Sequence, residues 1–400
     1  MFGVLFWLFV IGILYTYAGY PLILAVLARL RPKPESYPQS FPPVTLLIAA
    51  YNEQAVIQEK IENSLSLNYP REQLQILVAA DGSTDSTADI VRSFSQQGVE
   101  LSYSPERRGK MAAINRAMPL ARGEIVVFSD ANNLYDPDAL SELVKPFADP
   151  TVGASSGAKV IIRSNETLGE SEGIYWKYES FIKKQETRLG CCTGVAGEIL
   201  ALRRDLFIPP PDSIINDDFY MAMQVIRQGY RVVYVPTAIS NEPPSLSAQD
   251  EITRRSRIIA GRYQAIMRAL EWLTWRRPLV IWQIVSHKFL RPMVPLAMAG
   301  ALIANILAVV FPAQAGHLWG KLIFLAPPAG WITLGLQAAF YALAWIGRFI
   351  SRGTTAGKLL YLPTFLVNSN LAAVIGLYRY LTGRQSAVWQ RVRRREAKQL

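Results

Sequence analysis

The residues of this sequence that could do chemistry are mostly acidic, and they stand at the ends of apolar runs. Asp130 and Asn132 follow the run 124–129, EIVVFS. Oxygen ligands two positions apart, just past a strand, can hold a divalent ion, and Mg²⁺ and Mn²⁺ prefer such hard ligands. Asp and Asn are also ordinary turn residues, so the pair by itself leaves a metal site and a plain turn both open.

Three further acidic residues admit a chemical and a structural interpretation. Asp81 closes the apolar run 74–80, where its carboxylate can accept hydrogen bonds from a base or ribose, or cap the next helix. Asp217 and Asp218 precede a predicted helix at 219–227, where acidic side chains are favourable for the helix dipole. One of them could instead be a general base that deprotonates a hydroxyl group. With only 2 histidines in the chain, carboxylates must do this work.

Two basic positions suit phosphate groups. Lys110 opens the predicted helix 110–121, and a cation beside a helix N-terminus favours an anion. The residues around Lys110 do not form a Walker A loop, and a solvated basic face explains them equally well. Arg257 is one of several arginines in a later predicted helix. Their guanidinium groups could neutralise a diphosphate or form a basic face beside a membrane.

The elements that must position these groups alternate between short apolar runs and helix-like segments. We predict strands at 44–50, 74–80, 99–103 and 124–129, and helices at 55–67, 85–94 and 110–121. Near-continuous apolar strands separated by helices indicate an α/β domain with a mostly parallel sheet covered on both faces. Functional groups then lie at the carboxyl ends of the strands. We therefore expect the polar clusters at 51–53, 81–83 and 130–132 to meet at one edge.

The apolar residues that remain are concentrated at the two ends of the chain. The protein has 400 residues, of which 50% are hydrophobic and 18% charged. Residues 1–30 can cross a bilayer and lack the features of a cleaved signal peptide, so we predict a transmembrane anchor. Basic residues after the anchor predict a cytoplasmic domain. Further apolar segments are expected at 289–311, 322–347 and 359–381.

The net charge of +11 does not indicate nucleic-acid binding, because many basic residues flank apolar segments, where they favour contact with anionic membrane lipids. The basic tail leaves a conflict. Three C-terminal spans would place the tail outside the cytoplasm, whereas the preference of basic segments for the cytoplasmic side of a membrane would keep it inside. Either 322–347 or 359–381 could be re-entrant, and both choices remain open.

The only cysteines, Cys191 and Cys192, are adjacent, which fits a reducing compartment.

The domain organisation predicted from these patterns has six parts. They are an N-terminal transmembrane helix at 1–30, a proline-rich linker at 31–43, an α/β domain at 44–265, an interfacial helix at 266–288, a transmembrane region at 289–381 and a basic tail at 382–400. The interfacial helix is inferred from tryptophans interleaved with arginines, a composition typical of a helix that lies in the membrane surface.

Several stretches, taken together and in order, resemble family 2 glycosyltransferases, the inverting enzymes with a GT-A fold that include cellulose, chitin and hyaluronan synthases. The matching stretches are AAYNE (49–53), VAADGSTDST (78–87), RRGKMAAIN (107–115), FSDANN (128–133), GVAGEILALRR (194–204), NDDFYMAMQVIRQGYRVVY (216–234) and RRSRIIAGR (254–262). The resemblance covers residues 40–265 and implies a GT-A domain, a nucleotide-sugar donor, expected to be a UDP-sugar, and a divalent cation, Mg²⁺ or Mn²⁺.

The resemblance also implies roles for individual residues. Residues expected to bind the nucleotide-sugar are Ala50, Tyr51, Glu53, Asp81, Lys110, Asn115, Asp130 and Arg257. Asp130 and Asn132 would hold the cation, although the family usually has a second acid where this chain has Asn132. Residues expected to face the acceptor are Gly194, Gly197 and Glu198. Asp218 aligns with the general base of the family, and Asp217 is the alternative.

The function implied is inverting transfer of a hexose to a lipid-linked or saccharide acceptor at the inner face of the cell inner membrane. Processive synthases carry Gln-x-x-Arg-Trp, of which this chain keeps only Arg257, so processive synthesis is unsupported. Two alternatives remain open. One is a polyprenyl-phosphate glycosyltransferase, whose acceptor is already an anion. The other is a membrane transporter or scaffold with a non-catalytic nucleotide-binding domain.

Overall fold

The computed structural model describes residues 1–32, 37–161, 168–243, 248–350 and 355–385. The chain divides into two compact units. The helical unit comprises residues 1–23, 255–263 and 284–382, and the sheet unit comprises residues 24–254, 264–283 and 383–400. Part of the predicted linker, at 33–36, and most of the predicted basic tail, at 386–400, lie outside the described residues.

The sheet unit is built on an eight-stranded sheet. Its strands are β1 (Val44–Ala50), β2 (Leu74–Asp81), β3 (Val99–Ser104), β4 (Ile125–Asp130), β5 (Leu134–Tyr135), β6 (Val152–Ile161), β7 (Leu200–Arg203) and β8 (Arg231–Glu242). The strand order is β3-β2-β1-β4-β7-β6-β8-β5. Strands β1 to β4 pair in parallel, whereas β7 lies antiparallel between β4 and β6. The predicted α/β fold is confirmed, and the sheet is mixed beyond β4.

The central strands are buried along almost their whole length. Every residue of β2 and β4 is buried, and β1 has a single partly exposed position. A sheet covered on both faces leaves no solvent face, so its strands are continuous apolar runs rather than alternating ones. That pattern made the first four strands predictable to within one residue at each end.

The α-helices complete the two units. In chain order they are α1 (Phe2–Leu14), α2 (Tyr20–Arg29), α3 (Ile57–Leu65), α4 (Thr87–Ser93), α5 (Lys110–Ala117), α6 (Ala139–Val144), α7 (Leu168–Leu189), α8 (Asp217–Arg227), α9 (Ala248–Met267), α10 (Ala269–Trp272), α11 (Pro278–Ile284), α12 (Leu290–Val310), α13 (Leu318–Phe324), α14 (Ala329–Ile346) and α15 (Thr355–Leu381). The predicted helix 110–121 ends early, because Pro119 lies in a short 3₁₀ turn and proline cannot continue an α-helix.

Three helical stretches among the described residues are long and apolar enough to cross a membrane: Phe2–Arg29, Pro278–Val310 and Ala329–Ile346. The first matches the predicted anchor. The second begins inside the predicted interfacial helix, so residues 266–288 are not one helix: α10 ends at Trp272 and a new helix starts at Pro278. The third predicted C-terminal segment is helical in α15 but is not among these candidates. Among the described residues there are therefore two C-terminal candidate membrane spans, whereas the sequence predicted about three.

Within the helical unit, the C-terminal end of α15 packs against residues 255–263. A Cβ on Gly376 would lie 2.8 Å from Cγ2 of Ile259 and 2.9 Å from the carbonyl oxygen of Ser256. One turn further on, Arg379 Nη1 donates a hydrogen bond to Ser256 Oγ over 2.8 Å. These contacts fix the end of α15 beside a segment that precedes the candidate span Pro278–Val310 in the chain.

Candidate active site

The register of the sheet brings the predicted polar clusters to one edge. Ala50 of β1 pairs with Ala80 of β2, and Ala49 pairs with Asp130 of β4. Asp81 and Asp130 therefore lie at the carboxyl ends of the strands that flank β1. Neighbouring strands are about 4.8 Å apart, so the two strands that carry these residues run roughly 10 Å apart across the sheet. This is the edge where an α/β sheet binds its ligands.

The loop after β1 is tied to the loop after β2 by hydrogen bonds. Asn52 adopts a left-handed backbone conformation, with φ of 52°. Its N–H donates to Ser83 Oγ over 3.1 Å, and its Oδ1 accepts from the N–H of Thr84 over 2.8 Å. The N–H of Glu53, which is buried, donates to Thr87 Oγ1 over 2.8 Å. The two loops thus form one preorganised wall.

Asp81 is held by backbone donors from the segment before α5. Its Oδ2 accepts hydrogen bonds from the N–H groups of Arg108 at 3.0 Å and Gly109 at 2.6 Å. Arg116 Nη1 lies 3.5 Å from its Oδ1. Oδ1 is buried but accepts no hydrogen bond from the part of the chain that the structure describes. A buried carboxylate oxygen with spare capacity suits a donor group of a ligand.

A stacked pair lies at the start of the same wall. The Arg107 guanidinium lies 3.8 Å from the ring centroid of Tyr51, which directly follows the buried Ala50 at the end of β1. The chain can approach this closely because Gly82 has a φ of +67°, and a Cβ there would lie 2.6 Å from the backbone nitrogen of Arg107. The stacked ring and guanidinium present flat groups of the kind that contact a nucleobase.

Lys110 connects this wall with the acidic residues of α8. Its Nζ lies 2.7 Å from Asp130 Oδ1 and 3.6 Å from Asp217 Oδ2. Burial lowers the pKa of Lys110, but the carboxylates of Asp130 and Asp217 outweigh that effect and raise it above the usual lysine value. Lys110 is therefore a permanent cation at the N-terminus of α5, a position that favours an anionic group.

Asp130 and Asn132 provide oxygen atoms for a divalent cation, but not a complete ligand set. Among the described residues, no group of three or more His, Cys, Asp or Glu side chains is placed to hold a metal ion. The Asn132 Oδ1 atom is buried and has no hydrogen-bond partner in the described ranges. An orphaned amide oxygen beside a carboxylate fits Mg²⁺ or Mn²⁺ whose other ligands are phosphate oxygens and water.

Asp217 and Asp218 form the first turn of α8, with Asn216 at the N-cap position. Asp218 Oδ1 accepts a hydrogen bond from the N–H of Phe219 over 2.7 Å. Burial, and next the neighbouring charge of Asp217, raise the pKa of Asp218 to about 6. A carboxylate with a pKa closer to neutrality is a stronger base than an ordinary aspartate and is still ionised at pH 7.

Gly197 packs directly against Asp218. A Cβ on Gly197 would lie 3.0 Å from Cβ and 3.6 Å from Oδ2 of Asp218. The substitution Gly197→Ala should therefore displace the Asp218 carboxylate. For a general base, the role that the resemblance implies for Asp218, this displacement should lower kcat about tenfold, since small misplacements of a catalytic group have large effects on rate. Steady-state kinetics of the protein in nanodiscs measures this change.

The control for this prediction is Gly335→Ala, because a Cβ at Gly335 meets nothing within 4 Å. Its kcat should equal that of the wild type. An unchanged kcat in Gly197→Ala would contradict the placement of Asp218 against residue 197.

The remaining predicted residues occupy different positions. Asn115 lies in α5, where its Nδ2 donates to the Pro210 carbonyl over 3.1 Å and its buried Oδ1 accepts no bond from described residues. Gly194 is buried, and its carbonyl oxygen accepts a bond from Cys192 Sγ over 3.2 Å. Arg257 belongs to the helical unit, whereas the other predicted site residues belong to the sheet unit.

A buried lysine that sequence reasoning missed supports the turn after β4. Lys60 is fully buried. Its Nζ lies 2.8 Å from the Asn133 carbonyl oxygen, 3.4 Å from Asn133 Oδ1 and 4.2 Å from the ring centroid of Tyr135. The Nδ2 of Asn133 donates to Ser240 Oγ at 2.7 Å and to the Glu198 carbonyl oxygen at 3.1 Å. The network joins the Asp130–Asn133 turn to β8 and to the segment before β7.

Burial lowers the pKa of Lys60 from 10.5 to about 7, against the opposing effect of Asp130. The unfolded chain therefore binds one more proton than the folded chain between these two pH values, and stability should rise with pH across that window. In Lys60→Met, this rise of stability with pH should be absent. The midpoint of thermal unfolding at pH 7 and at about pH 9.5 measures the difference.

The matched control is Lys145→Met, which removes a partly exposed lysine paired with Glu142. It should keep the wild-type pH dependence of stability. Equal pH dependence in Lys60→Met and the wild type would show that Lys60 is not a strongly perturbed buried amine.

Other residues missed from the sequence had weak signals. Ile57, Lys60, Ile61 and Ser64 share the buried face of α3, so helical periodicity already placed a lysine at a core position. Arg107 stood in the RRGK stretch beside Lys110. No local pattern distinguished Lys159, whose partners Glu198 and Glu242 are distant from it in the chain.

Lys159 of β6 lies between two carboxylates. Its Nζ is 3.4 Å from Glu198 Oε1 and forms an ion pair with Glu242. Burial, and next the charge of Asp130, raise the pKa of Glu198. The site is thus a wall of aromatic and basic groups on one side and a group of carboxylates, partly neutralised by lysines, on the other.

The architecture matches a solved structure over nearly its whole length. A mannosyltransferase from Pyrobaculum calidifontis, solved in complex with GDP-Man and Mn2+, superposes with a TM-score of 0.71 at 24% sequence identity, covering 96% of this chain and 100% of that one. The fold of the sheet unit is therefore the GT-A fold of glycosyltransferases, as the resemblance predicted.

Sequence comparison shows which proteins part of the chain is similar to. Residues 45–208 match the model of Glycosyl transferase family 2. A poly-beta-1,6-N-acetyl-D-glucosamine synthase of Staphylococcus aureus is 28% identical over 219 residues, 52% of this chain and 52% of the relative. A beta-monoglucosyldiacylglycerol synthase of Nostoc is 30% identical over 202 residues, 49% of this chain and 43% of the relative. The matches thus span about half the length of these relatives. The part of the chain at residues 45–208 is thus similar to glycosyltransferase family 2.

Proposed function

We propose that the protein is an inverting glycosyltransferase that moves a hexose from a nucleotide-sugar to an acceptor hydroxyl. One observation carries the proposal: the Lys110 ammonium lies 2.7 Å from Asp130 and 3.6 Å from Asp217, the neighbour of Asp218. The side of the site that suits a diphosphate and the side that suits a base are therefore connected by direct contacts.

The donor would bind along the wall formed by the loops after β1 and β2. Tyr51 and Arg107 offer a stacked surface for the base, and the open Oδ1 of Asp81 can accept a hydrogen bond from the base or ribose. Lys110 and the N-terminus of α5 would face the diphosphate. The relative from Pyrobaculum was solved with GDP-Man, so guanosine donors belong in the test beside uridine donors.

Asp130 and Asn132 would hold a divalent cation together with the diphosphate. The orphaned Asn132 Oδ1 supports this assignment, and so does the Mn2+ bound by the Pyrobaculum relative. When bound, a Mg²⁺ or Mn²⁺ ion neutralises charge that develops on a departing diphosphate. Lys110 contributes positive charge at the same place from the protein itself.

Asp218 would act on the acceptor. Its carboxylate takes the proton from an acceptor hydroxyl, and the hydroxyl oxygen attacks the anomeric carbon from the face opposite the diphosphate, which inverts the configuration there. The pKa of about 6 leaves Asp218 mostly ionised at pH 7 and able to accept this proton.

The acceptor would be a saccharide or a lipid-linked molecule with a free hydroxyl group. The names of the relatives include both a polysaccharide and a glycolipid product. A polyprenyl-phosphate acceptor is less compatible with this site, because its anionic phosphate would approach the carboxylates of Asp217, Asp218 and Glu198. The raised pKa of Asp218 would also be unnecessary for an acceptor that is already ionised.

The apolar helices support a membrane location with two C-terminal crossings. With the anchor at Phe2–Arg29 and spans at Pro278–Val310 and Ala329–Ile346, the chain returns to the side on which it left the anchor. The contacts of Gly376 and Arg379 with Ser256 favour the same arrangement, since Ser256 precedes the first of these spans. The basic tail is then cytoplasmic, as its charge requires, and the inner membrane is the proposed location.

The test is a screen of the purified full chain in nanodiscs against UDP- and GDP-sugars, with Mn²⁺ or Mg²⁺ and with lipid and oligosaccharide acceptors. Transfer with one donor class, with inversion at the anomeric carbon, is the expected result. Transfer to undecaprenyl phosphate that survives Asp218→Asn would favour the polyprenyl-phosphate alternative. The absence of transfer with every donor would favour a non-catalytic nucleotide-binding protein.

A further inference from the structure

Glu198 is a carboxyl group in the site that lacks the hydrogen bonds its burial calls for. Only 12% of its side chain is exposed, and its Oε1 is buried without a hydrogen-bond donor in the described segments. Lys159 Nζ lies 3.4 Å from that oxygen, but Lys159 also pairs with Glu242. An ionised carboxyl group accepts about four hydrogen bonds, and leaving a buried one without donors is costly.

The backbone of Glu198 is held by hydrogen bonds, whereas the Oε1 atom of its carboxyl group accepts none from the described residues. The Glu198 carbonyl oxygen accepts hydrogen bonds from Tyr135 Oη at 2.7 Å and from Asn133 Nδ2 at 3.1 Å. Both donors belong to the network that surrounds the buried Lys60. The main chain at residue 198 is therefore held rigidly, which is the arrangement expected of a residue that positions a ligand.

Glu198 lies between the two chemical ends of the proposed site. Leu200 of β7 pairs with Phe128 of the antiparallel β4, so Glu198 stands opposite the end of β4, where Asp130 lies. The residue before it, Gly197, touches Asp218. In an in-line displacement, the transferred sugar must occupy the space between the diphosphate and the acceptor hydroxyl. Glu198 lies beside that space, near Asp130 at the diphosphate end and near Asp218 at the acceptor end.

We propose that the Glu198 carboxyl group accepts a hydrogen bond from a hydroxyl of the transferred sugar and thereby selects the donor sugar that the enzyme uses. The inference rests on the proposed function and deepens it. It differs from the expectation that Glu198 faces the acceptor. A site built to hydrogen-bond a hydroxyl discriminates strongly against the analogue that lacks it, because its own polar group is then left unpaired.

The test uses the full chain in nanodiscs and the donor identified by the screen, together with its analogues that lack one sugar hydroxyl each. For one analogue, the wild type should prefer the native donor by about a hundredfold in kcat/KM, and Glu198→Gln should reduce that preference about tenfold. Hydrolysis of the same donors without acceptor should show the same loss of preference, since no acceptor takes part.

The matched control is Glu142→Gln, which changes a partly exposed carboxyl group paired with Lys145 and should keep the wild-type preference. If Glu198→Gln does not fold, Glu198→Asp retains the charge and withdraws the carboxyl group by one methylene, and it should weaken the preference for the same hydroxyl.

Unchanged preference for every donor analogue would overturn the inference while leaving the proposed function intact. A loss of preference seen only with deoxy acceptors would also overturn it, by assigning Glu198 to the acceptor. Absence of transfer by the unmodified protein would instead overturn the proposed function, and this inference with it.

Discussion

Asp218→Asn should lower the rate of sugar transfer at least about a thousandfold while the protein remains folded, because an amide cannot take the proton of the acceptor hydroxyl. The loss should appear in kcat. Donor affinity should change little, because Asp218 would contact the acceptor rather than the nucleotide. Quantifying released nucleotide and transferred sugar at saturating donor and acceptor gives the measurement.

The pH dependence of the wild type provides an independent check of this role. Because burial and Asp217 raise the pKa of Asp218 to about 6, the base is protonated and inactive below that pH. Therefore kcat/KM should rise with pH and level off above about 7. In Asp217→Asn, the loss of the neighbouring charge should move the rise of kcat/KM to lower pH. A pH profile that is flat between 5 and 8, or full activity of Asp218→Asn, would contradict the assignment.

Asp130→Ala should have an effect of similar size for a different reason. It removes a carboxylate that would face the cation and also the partner that lies 2.7 Å from Lys110. Transfer should fall at least about a thousandfold, since electrostatic stabilisation of the leaving group is usually a large part of the rate enhancement. The thermal stabilisation produced by Mn²⁺ plus UDP or GDP should disappear as well, because a ligand stabilises only the state that binds it.

The two variants separate binding from chemistry. Asp218→Asn should keep the stabilisation by Mn²⁺ and nucleotide, whereas Asp130→Ala should lose it. The control Asp89→Ala removes an exposed aspartate paired with Arg92 and should behave as the wild type in both measurements. If Asp130→Ala retained the full Mn²⁺-dependent stabilisation, the cation would bind elsewhere.

Sequence analysis predicted well those parts of the fold that are marked by a local sequence pattern. Strands β1 to β4 are continuous apolar runs, so their positions and the parallel arrangement of the first half of the sheet were accessible. The polar clusters after three of these strands were correctly expected to lie at one edge. The antiparallel insertion of β7 next to β4 was not accessible, because β7 has only four residues and pairs with strands distant in the chain.

The membrane region shows the same difference between local and long-range information. Apolar length predicted the anchor and both C-terminal candidate spans, but it also suggested a third crossing at 359–381. The contacts of Gly376 and Arg379 with residues 255–263 come from packing between distant segments. Hydropathy alone could not show which segment the end of α15 packs against.

For this protein, the sequence alone indicated the resemblance to family 2 glycosyltransferases, the α/β class and the acidic residues available for chemistry, because those depend on residue type and short-range spacing. Tertiary structure decided which of these residues lie together. It joined Asp130 to Asp217 through Lys110, set Gly197 against Asp218 and buried Lys60 beneath the turn after β4. The physical reason is that burial and charge pairing depend on distances between segments remote in the chain, and only the packed sheet defines those distances.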